Sequence, residues 1–507
     1  MPPIKHVFVL MLENRSFDHM LGFSHIKGTD AATQAPTEVN GVAGSESNTW
    51  NGTVFPAAPP AVDPMKADPF HEFSDVLEQL CGQSATYPSG VAGGPGGPYP
   101  PIDNSGFVSN FAMHAIPKQP NLGATPGDVM KTFAKPQLPV LTALAEEFVV
   151  CDSWFCSMPG PTWPNRFFAL GASSADLDHS PTTTETALWQ TIDGFKFQNG
   201  SIFDAGGSFK WRIYAGNKLF TLAHALKGIH IWDITRYSKF ASDVLDPNYP
   251  AQFTWIEPNY GHVTSDYLGG NSQHPLDGVT GGEALIKSTY EAIRNSPLWE
   301  SSMLIITWDE HGGFYDHVAP PPAIPPGDTA QFNGANTTKF PFDQYGPRVP
   351  AVVISPLVPR NLIDHRDYDH TSILATVERL FGLQPLTARD RGALDLLSLA
   401  SLPIPRSDAP TSIALQPATA LAHSQTMLDT LDVETPAASR PTEPIEDTLS
   451  LPGFVYVAGK TDVELPQGAP PIEHAARVLN RVGGVRTRAD ARDYFEEVRR
   501  KTLAAER

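Results

Sequence analysis

Three short apolar runs dictate most of what this chain can become. "HVFVLML" at 6–12, "SMLIITW" at 302–308 and "VPAVVIS" at 349–355 are rich in β-branched and large apolar residues and end on polar or turn residues. Runs of this length without polar alternation read as strands buried on both faces. Between them lie amphipathic helical patterns: "PVLTALAEEFVV" at 139–150, "GGEALIKSTYEAIRNSPLW" at 281–299, and "HTSILATVERLFGL" at 370–383, which closes with Gly382. In the second, Ala284, Leu285, Tyr290 and Ile293 are the candidate core contacts. Buried strands alternating with such helices predict an α/β fold with a mostly parallel central sheet and helices on both faces.

In sheets of this kind, chemistry gathers beyond the carboxyl ends of the strands. Glu13 and Asn14 follow the first run. In "TWDEHGG" at 307–313, Asp309 and Glu310 follow the second. Adjacent buried carboxylates repel each other and resist desolvation, so they need a proton, a cation or strong donors beside them. The pattern predicts that the two acidic ends meet at one sheet edge. Glu13, Asn14, Asp309 and Glu310 offer hard oxygen donors of the kind that suits a divalent cation.

A further landmark is "SMPGPTWPNRFFALGA" at 157–172, where a Pro/Gly turn leads through Thr162 into an apolar helical run. Pro164 early in that helix is favourable, and Thr162 is placed as its N-cap. A hydroxyl there serves as a cap, or sits where free N–H groups and the helix dipole favour an anion.

The charge balance narrows the ligand class. Fifty-five acidic residues against 36 Lys and Arg leave a net charge of −19, which disfavours nucleic acid as a partner. A local metal can override that field for a small anionic substrate. The three cysteines, Cys81, Cys151 and Cys156, match no zinc spacing and are expected as free thiols. No run approaches the ~20 apolar residues of a transmembrane helix. The N-terminal apolar run backs directly onto Glu13 and lacks a cleavage region, so it reads as the first core strand and not as a signal peptide. There is no G-x-S-x-G elbow, Walker A loop or H-E-x-x-H helix.

Four ordered motifs, "VFVLMLENRSFDHMLG", "SMPGPTWPNRFFALG", "TWDEHGGFYDHVAPP" and "YGPRVPAVVISP", resemble the signatures of the bacterial phosphoesterase family. That family holds phosphatidylcholine-type phospholipases C and acid phosphatases within the alkaline-phosphatase-like superfamily. The resemblance runs from about residue 4 to about 390. It implies an alkaline-phosphatase-like fold with long loop insertions, and hydrolysis of phosphoric esters. By motif it implies Thr162 as the hydroxyl nucleophile, and Glu13, Asn14, Thr162, Asp309 and Glu310 as ligands of one divalent metal ion. Zinc is expected ahead of calcium, magnesium or manganese. Glu310 stands where some members carry Asp. His71 in "DPFHEF" and His274 in "NSQHP" match histidines that face the substrate phosphate.

The implied substrate is a phospholipid or a small phosphate ester, with transient contact to a membrane surface. Phospholipase C is the first expectation, an acid phosphatase on the same site the second, and an inactive lipid- or protein-binding relative the third. A secreted or periplasmic location is implied by the family alone. Residues 1–406 are expected to form the catalytic domain. Residues 407–507 are expected to form a C-terminal extension: a Pro/Thr/Ser-rich, loosely packed linker to about 471, then a terminal helix with Thr487 and Asp490 spaced for a capping box. The Gly/Pro-rich stretch 87–101 is expected to hold no regular element.

Overall fold

The structure, a computed structural model, describes residues 3–89, 96–119, 122–191, 193–328, 335–415, 428–448, 450–466 and 471–507. Its centre is a ten-stranded sheet. In chain order the strands are β1 (His6–Leu12), β2 (Lys27–Asp30), β3 (Pro36–Glu38), β4 (Val149–Cys151), β5 (Trp211–Ala215), β6 (Ile234–Arg236), β7 (Phe253–Glu257), β8 (Ser302–Trp308), β9 (Ala351–Ile354) and β10 (Leu362–Asp364). Across the sheet they run β3-β2-β10-β4-β9-β8-β1-β7-β5-β6. The principal helices are α1 (Phe73–Cys81), α2 (Pro139–Glu147), α3 (Thr162–Gly171), α4 (Thr280–Arg294), α5 (Thr371–Phe381), α6 (Leu451–Glu464), α7 (Pro471–Val482) and α8 (Arg488–Ala505).

The sheet is mostly parallel. β1 lies between β7 and β8 and is parallel to both. From Val7 to Leu12 every β1 side chain is buried, each contributing about 1.5–3 kcal/mol through removal from water. β9 is the exception in the centre, antiparallel to β8 and to β4. Its connection from β8 holds no helix among the described residues. A chain that returns without a crossover enters the sheet in the opposite direction.

Two helix boundaries differ from the sequence expectation. The pattern at 139–150 breaks after Glu147: Val149 and Val150 leave the helix and pair with β9 and β10. β-branched residues at a buried sheet position gain more from that packing than from another helical turn. The pattern at 281–299 ends as α4 at Arg294, before Pro297. Ala284, Leu285, Tyr290 and Ile293 are buried as expected. α5 stops at Gly382, which adopts the left-handed conformation (φ 71) expected of a terminating glycine.

Part of the segment expected to be a loose linker is packed. α6 is buried from Leu451 to Asp462, and Leu431, Ile445, Leu451 and Phe454 belong to the same apolar cluster as β1. Alternating Val, Tyr, Phe and Ala in "LPGFVYVAG" conceal no polar face, as befits a helix surrounded by protein. α8 opens with the expected capping box: Thr487 Oγ1 accepts from the Asp490 N–H and Asp490 Oδ2 from the Thr487 N–H. The three cysteines are free, with Cys151 and Cys156 buried. No helix among the described residues is long and apolar enough to cross a membrane. In the stretch 87–101, residues 90–95 lie outside the described residues, and the rest holds no helix or strand.

Candidate active site

β1 and β8 run in register, Leu12 opposite Trp308. The residues that follow them therefore leave the same sheet edge side by side. The Asn14 N–H donates to Asp309 Oδ1 at 3.0 Å, and the Arg15 N–H to the Glu310 carbonyl at 2.9 Å. Asn14 takes the left-handed backbone (φ 57), which Asn tolerates better than most residues. The "GG" after the acids has a steric cause: a Cβ on Gly312 would stand 2.1 Å from the Asn14 carbonyl oxygen, and Gly312 itself has φ 64.

Thr162 is not the N-cap of α3. Pro161 caps the helix with extended backbone, and Thr162 is the first helical residue. Pro161 can fill that position because a cap needs non-helical backbone and its carbonyl more than its N–H. The Thr162 hydroxyl is thereby freed to donate to Asn14 Oδ1 at 3.3 Å. The turn before it is held by Asn165, whose Nδ2 donates to the Gly160 and Pro161 carbonyls and whose Oδ1 accepts from the Met158 N–H.

One turn further along α3, Arg166 donates through Nε to Asp309 Oδ2 at 2.9 Å and through Nη2 to the Leu12 carbonyl at 2.8 Å. The sequence reading missed this residue. Its signal was a lone cation in an otherwise uncharged buried helix, four residues after Thr162, since Arg is rarely buried without a partner.

All five residues expected as metal ligands are at most 2% exposed, and Asn14 touches both Asp309 and Thr162. They differ in how far their charge is met. Asp309 Oδ1 accepts from two backbone N–H groups and Oδ2 from Arg166, which leaves one acceptor position on Oδ2. Glu13 Oε2 and Glu310 Oε1 are buried with no hydrogen-bond partner. Burial, reinforced by the Asp309 charge, pushes the Glu13 carboxyl well above its usual range. Burial also pushes Glu310 up to about 8, against the pull of His71. Two under-compensated carboxylates beside an amide oxygen and a hydroxyl form a donor set that fits a hard divalent cation.

The two expected histidines flank this set. His71 donates from Nδ1 to the Pro69 carbonyl, and its Nε2 lies 3.6 Å from Glu310 Oε1 and 3.3 Å from Asn14 Nδ2. Burial opposes its charge, but Glu310 and Asp68 outweigh burial and raise its pKa to about 9. His274 Nδ1 accepts from the Leu276 N–H, and Nε2 stands 3.6 Å from Asp68 Oδ2. Burial, then the His71 charge, holds His274 well below its ordinary value. Its ring lies flat on Tyr267, centroids 3.5 Å apart and planes within 8°. Asp68, which faces both histidines, was also missed; burial raises it to about 6.

Three other histidines near the motifs also meet protein partners, although His311 Nδ1 is left without a hydrogen bond, 3.4 Å from Glu310 Oε2. His370 donates from Nε2 to the Asp309 carbonyl at 2.6 Å while Trp154 donates to its Nδ1. His311 Nε2 meets Gln79 Oε1. His317 sits with Asp18 and Asp316 in a cluster close enough for a cation. Arg348 already occupies that role, with Nη2 at 2.9 Å from Asp18 and Nε at 2.8 Å from Asp316.

A cavity of about 140 Å³ opens beside His274. Asp68, Phe70 and Tyr267 line one side. Arg440, Phe454 and Arg488 of the C-terminal region line the other. The region after residue 406 thus walls the approach to His274.

The chain matches the model of the Phosphoesterase family over residues 4–384. It is 36% identical to Non-specific phospholipase C6 of Arabidopsis thaliana over 434 residues, covering 81% of this chain and 75% of that protein. It is 30% identical to Phospholipase C B of Mycobacterium tuberculosis over 432 residues, covering 79% of this chain and 78% of that one. Among solved structures, a protein in the alkaline phosphatase superfamily from Vibrio parahaemolyticus is similar at 15% identity and a TM-score of 0.31, over 50% of this chain and 64% of that one. By the span of its family match and the extent of its relatives, the chain belongs to the phosphoesterase family.

Proposed function

We propose that the protein is a metal-dependent phospholipase C that cleaves phosphatidylcholine-like lipids into diacylglycerol and a phosphorylated head group. The observation that carries this reading is the Thr162 hydroxyl, held at the start of a buried helix and 3.3 Å from Asn14 Oδ1, beside two carboxylates that each keep an unmatched oxygen. The names of the relatives, phospholipases C from a plant and a bacterium, favour the diester over a monoester.

Glu13, Asn14, Thr162 and Glu310, with the remaining acceptor position of Asp309, would hold one divalent ion. Zinc comes first, then calcium, magnesium or manganese. Bound there, the ion supplies Lewis acidity that favours the deprotonated threonine hydroxyl, a poor nucleophile when free. Thr162 loses its hydroxyl proton to solvent, and Oγ1 attacks phosphorus and forms a P–O bond while the ester bond to diacylglycerol breaks. His71 carries positive charge toward the non-bridging oxygens. A histidine of the pair gives a proton to the departing alcohol oxygen. Water then hydrolyses the phospho-threonine and releases the phosphorylated head group. Lipid reaches the site from a membrane surface by transient contact.

The test is parallel hydrolysis of phosphatidylcholine and p-nitrophenyl phosphate, with and without Zn²⁺, by the protein and by Thr162→Ala. Faster Thr162-dependent release of phosphocholine supports the reading. Faster release of nitrophenol with the lipid untouched moves the enzyme to the phosphatase side. Turnover of neither, with any of the four metals, overturns it.

A further inference from the structure

The His274 backbone is anchored by Ser272, Asp277 and Gly278, but its imidazole has few fixed points. Nδ1 is engaged by one long hydrogen bond from Leu276, at 3.3 Å, and Nε2 points toward Asp68. One face of its ring is covered by the parallel face of Tyr267. That tyrosine sits in a conformation it would not adopt unaided. Asp266 (φ 52) and Tyr267 (φ 62) are consecutive non-glycine residues in the left-handed region, where backbone persists only if the surroundings over-determine it.

The loop closes this turn with its own backbone bonds, the Leu268 N–H to the Ser265 carbonyl and the His262 N–H to the Leu268 carbonyl, and the C-terminal region braces it from outside. Arg440 reaches Asp266 Oδ1 at 2.8 Å with Nη2, and Arg488 Nη1 approaches the same oxygen at 3.5 Å. Both guanidiniums also meet Glu443, so each is aimed by a second carboxylate. One backbone and one side-chain bond lay this strap along the loop: the Ser439 N–H donates to the Thr264 carbonyl at 2.9 Å, and Ser265 Oγ to the Ala437 carbonyl at 2.9 Å. Planar, forked guanidiniums shared between two carboxylates fix direction better than a flexible ammonium does.

We propose that Arg440 and Arg488 are positioning residues for His274. They grip Asp266, and through it keep Tyr267 wound into the left-handed turn that lays its ring on the imidazole. The C-terminal region would thus complete the site by aiming a histidine. The inference rests on the phosphoester reading of His274.

Two measurements test it. The first is kinetic. Arg440→Gln and Asp266→Asn are each expected to lower kcat about tenfold or more, with KM changed less than about twofold, because small misplacements of an aligned group act on the transition state. Arg440→Lys is expected to recover part of the loss. In a His274→Ala background, Arg440→Gln is expected to cost nothing further. The second does not need turnover. In histidine-labelled protein the His274 ring protons are expected upfield under Tyr267, and expected to return toward ordinary shifts in Arg440→Gln/Arg488→Gln. If Arg440→Gln does not fold, as judged by its melting curve, Asp266→Asn breaks the same contact with a smaller change.

An undiminished Arg440 effect in the His274→Ala background overturns the proposal, and so do unchanged ring shifts in the double variant. Failure of the wild type to hydrolyse any phosphoric ester would instead overturn the functional reading, and the ring shifts would still decide the positioning.

Discussion

Arg166 Nε lies 2.9 Å from Asp309 Oδ2, one helical turn beyond Thr162. A single helix therefore delivers the hydroxyl to the site and neutralises the carboxylate that anchors Asn14 opposite it. The same guanidinium holds the Leu12 carbonyl at the end of β1. Sheet edge, acid and hydroxyl are thus locked to one another by one side chain.

Removing that lock exposes its worth. In metal-free protein, Arg166→Met leaves the buried Asp309 side chain with backbone N–H groups as its hydrogen-bond donors, and breaking one side of a buried pair costs about 3–5 kcal/mol. Denaturant unfolding of wild type and variant measures the difference. A loss below about 1 kcal/mol would mean that Asp309 finds another partner.

Thr162→Ala is expected to reduce hydrolysis more than about a thousandfold while the melting temperature stays near that of the wild type. Thr162→Ser keeps the hydroxyl and is expected to retain much of the activity. Near-normal turnover by the alanine variant removes Thr162 as the nucleophile.

Metal content separates the two kinds of carboxylate. Elemental analysis is expected to find one divalent ion per chain, and Glu13→Gln or Glu310→Gln to lose it, because theirs are the oxygens left unmatched. Extraction of the ion is expected to lower the melting temperature and readdition to restore it, since a ligand held only by the folded state stabilises that state. Full activity in a preparation free of metal would sink the cation assignment.

Glu464 gives the docking of α6 a pH signature. Burial opposes its ionisation, but the hydrogen bond from His224 Nε2, the nearby Lys460 ammonium and the Ile231 N–H outweigh burial and hold the carboxyl at about 2. Burial, then the Lys460 charge, lowers His224 in turn. A depressed folded-state pKa means the unfolded chain binds the proton first as pH falls. The stabilisation is complete above the ordinary glutamate range and is lost between about 4.5 and 2, by about 1–3 kcal/mol. Unfolding curves of Glu464→Gln and wild type should converge across that window and differ above it. A constant gap would mean that the carboxyl titrates at its ordinary value.

Local pattern alone determined much of this protein. β1 and β8 begin and end where their apolar runs do, because unbroken apolar stretches can be satisfied only inside a sheet. The acids at their ends, the glycine that closes α5 and the capping box of α8 were equally legible, since each depends on neighbours within a few residues. Tertiary structure decided the rest. Register between β1 and β8 brought the two acidic ends together, and the extended backbone of Pro161 at the cap turned Thr162 from a cap into a hydroxyl facing Asn14. The partners Arg166–Asp309 and Arg440–Asp266 are 143 and 174 residues apart in the chain. The proline- and threonine-rich composition after residue 406 read as loose, yet α6 is buried within it and Phe454 reaches the Trp163 ring beside the site. Composition reports how much apolar surface a segment carries. Which distant surface covers it is set by the assembled fold, where burial and charge pairing are shared among segments that carry no local mark of each other.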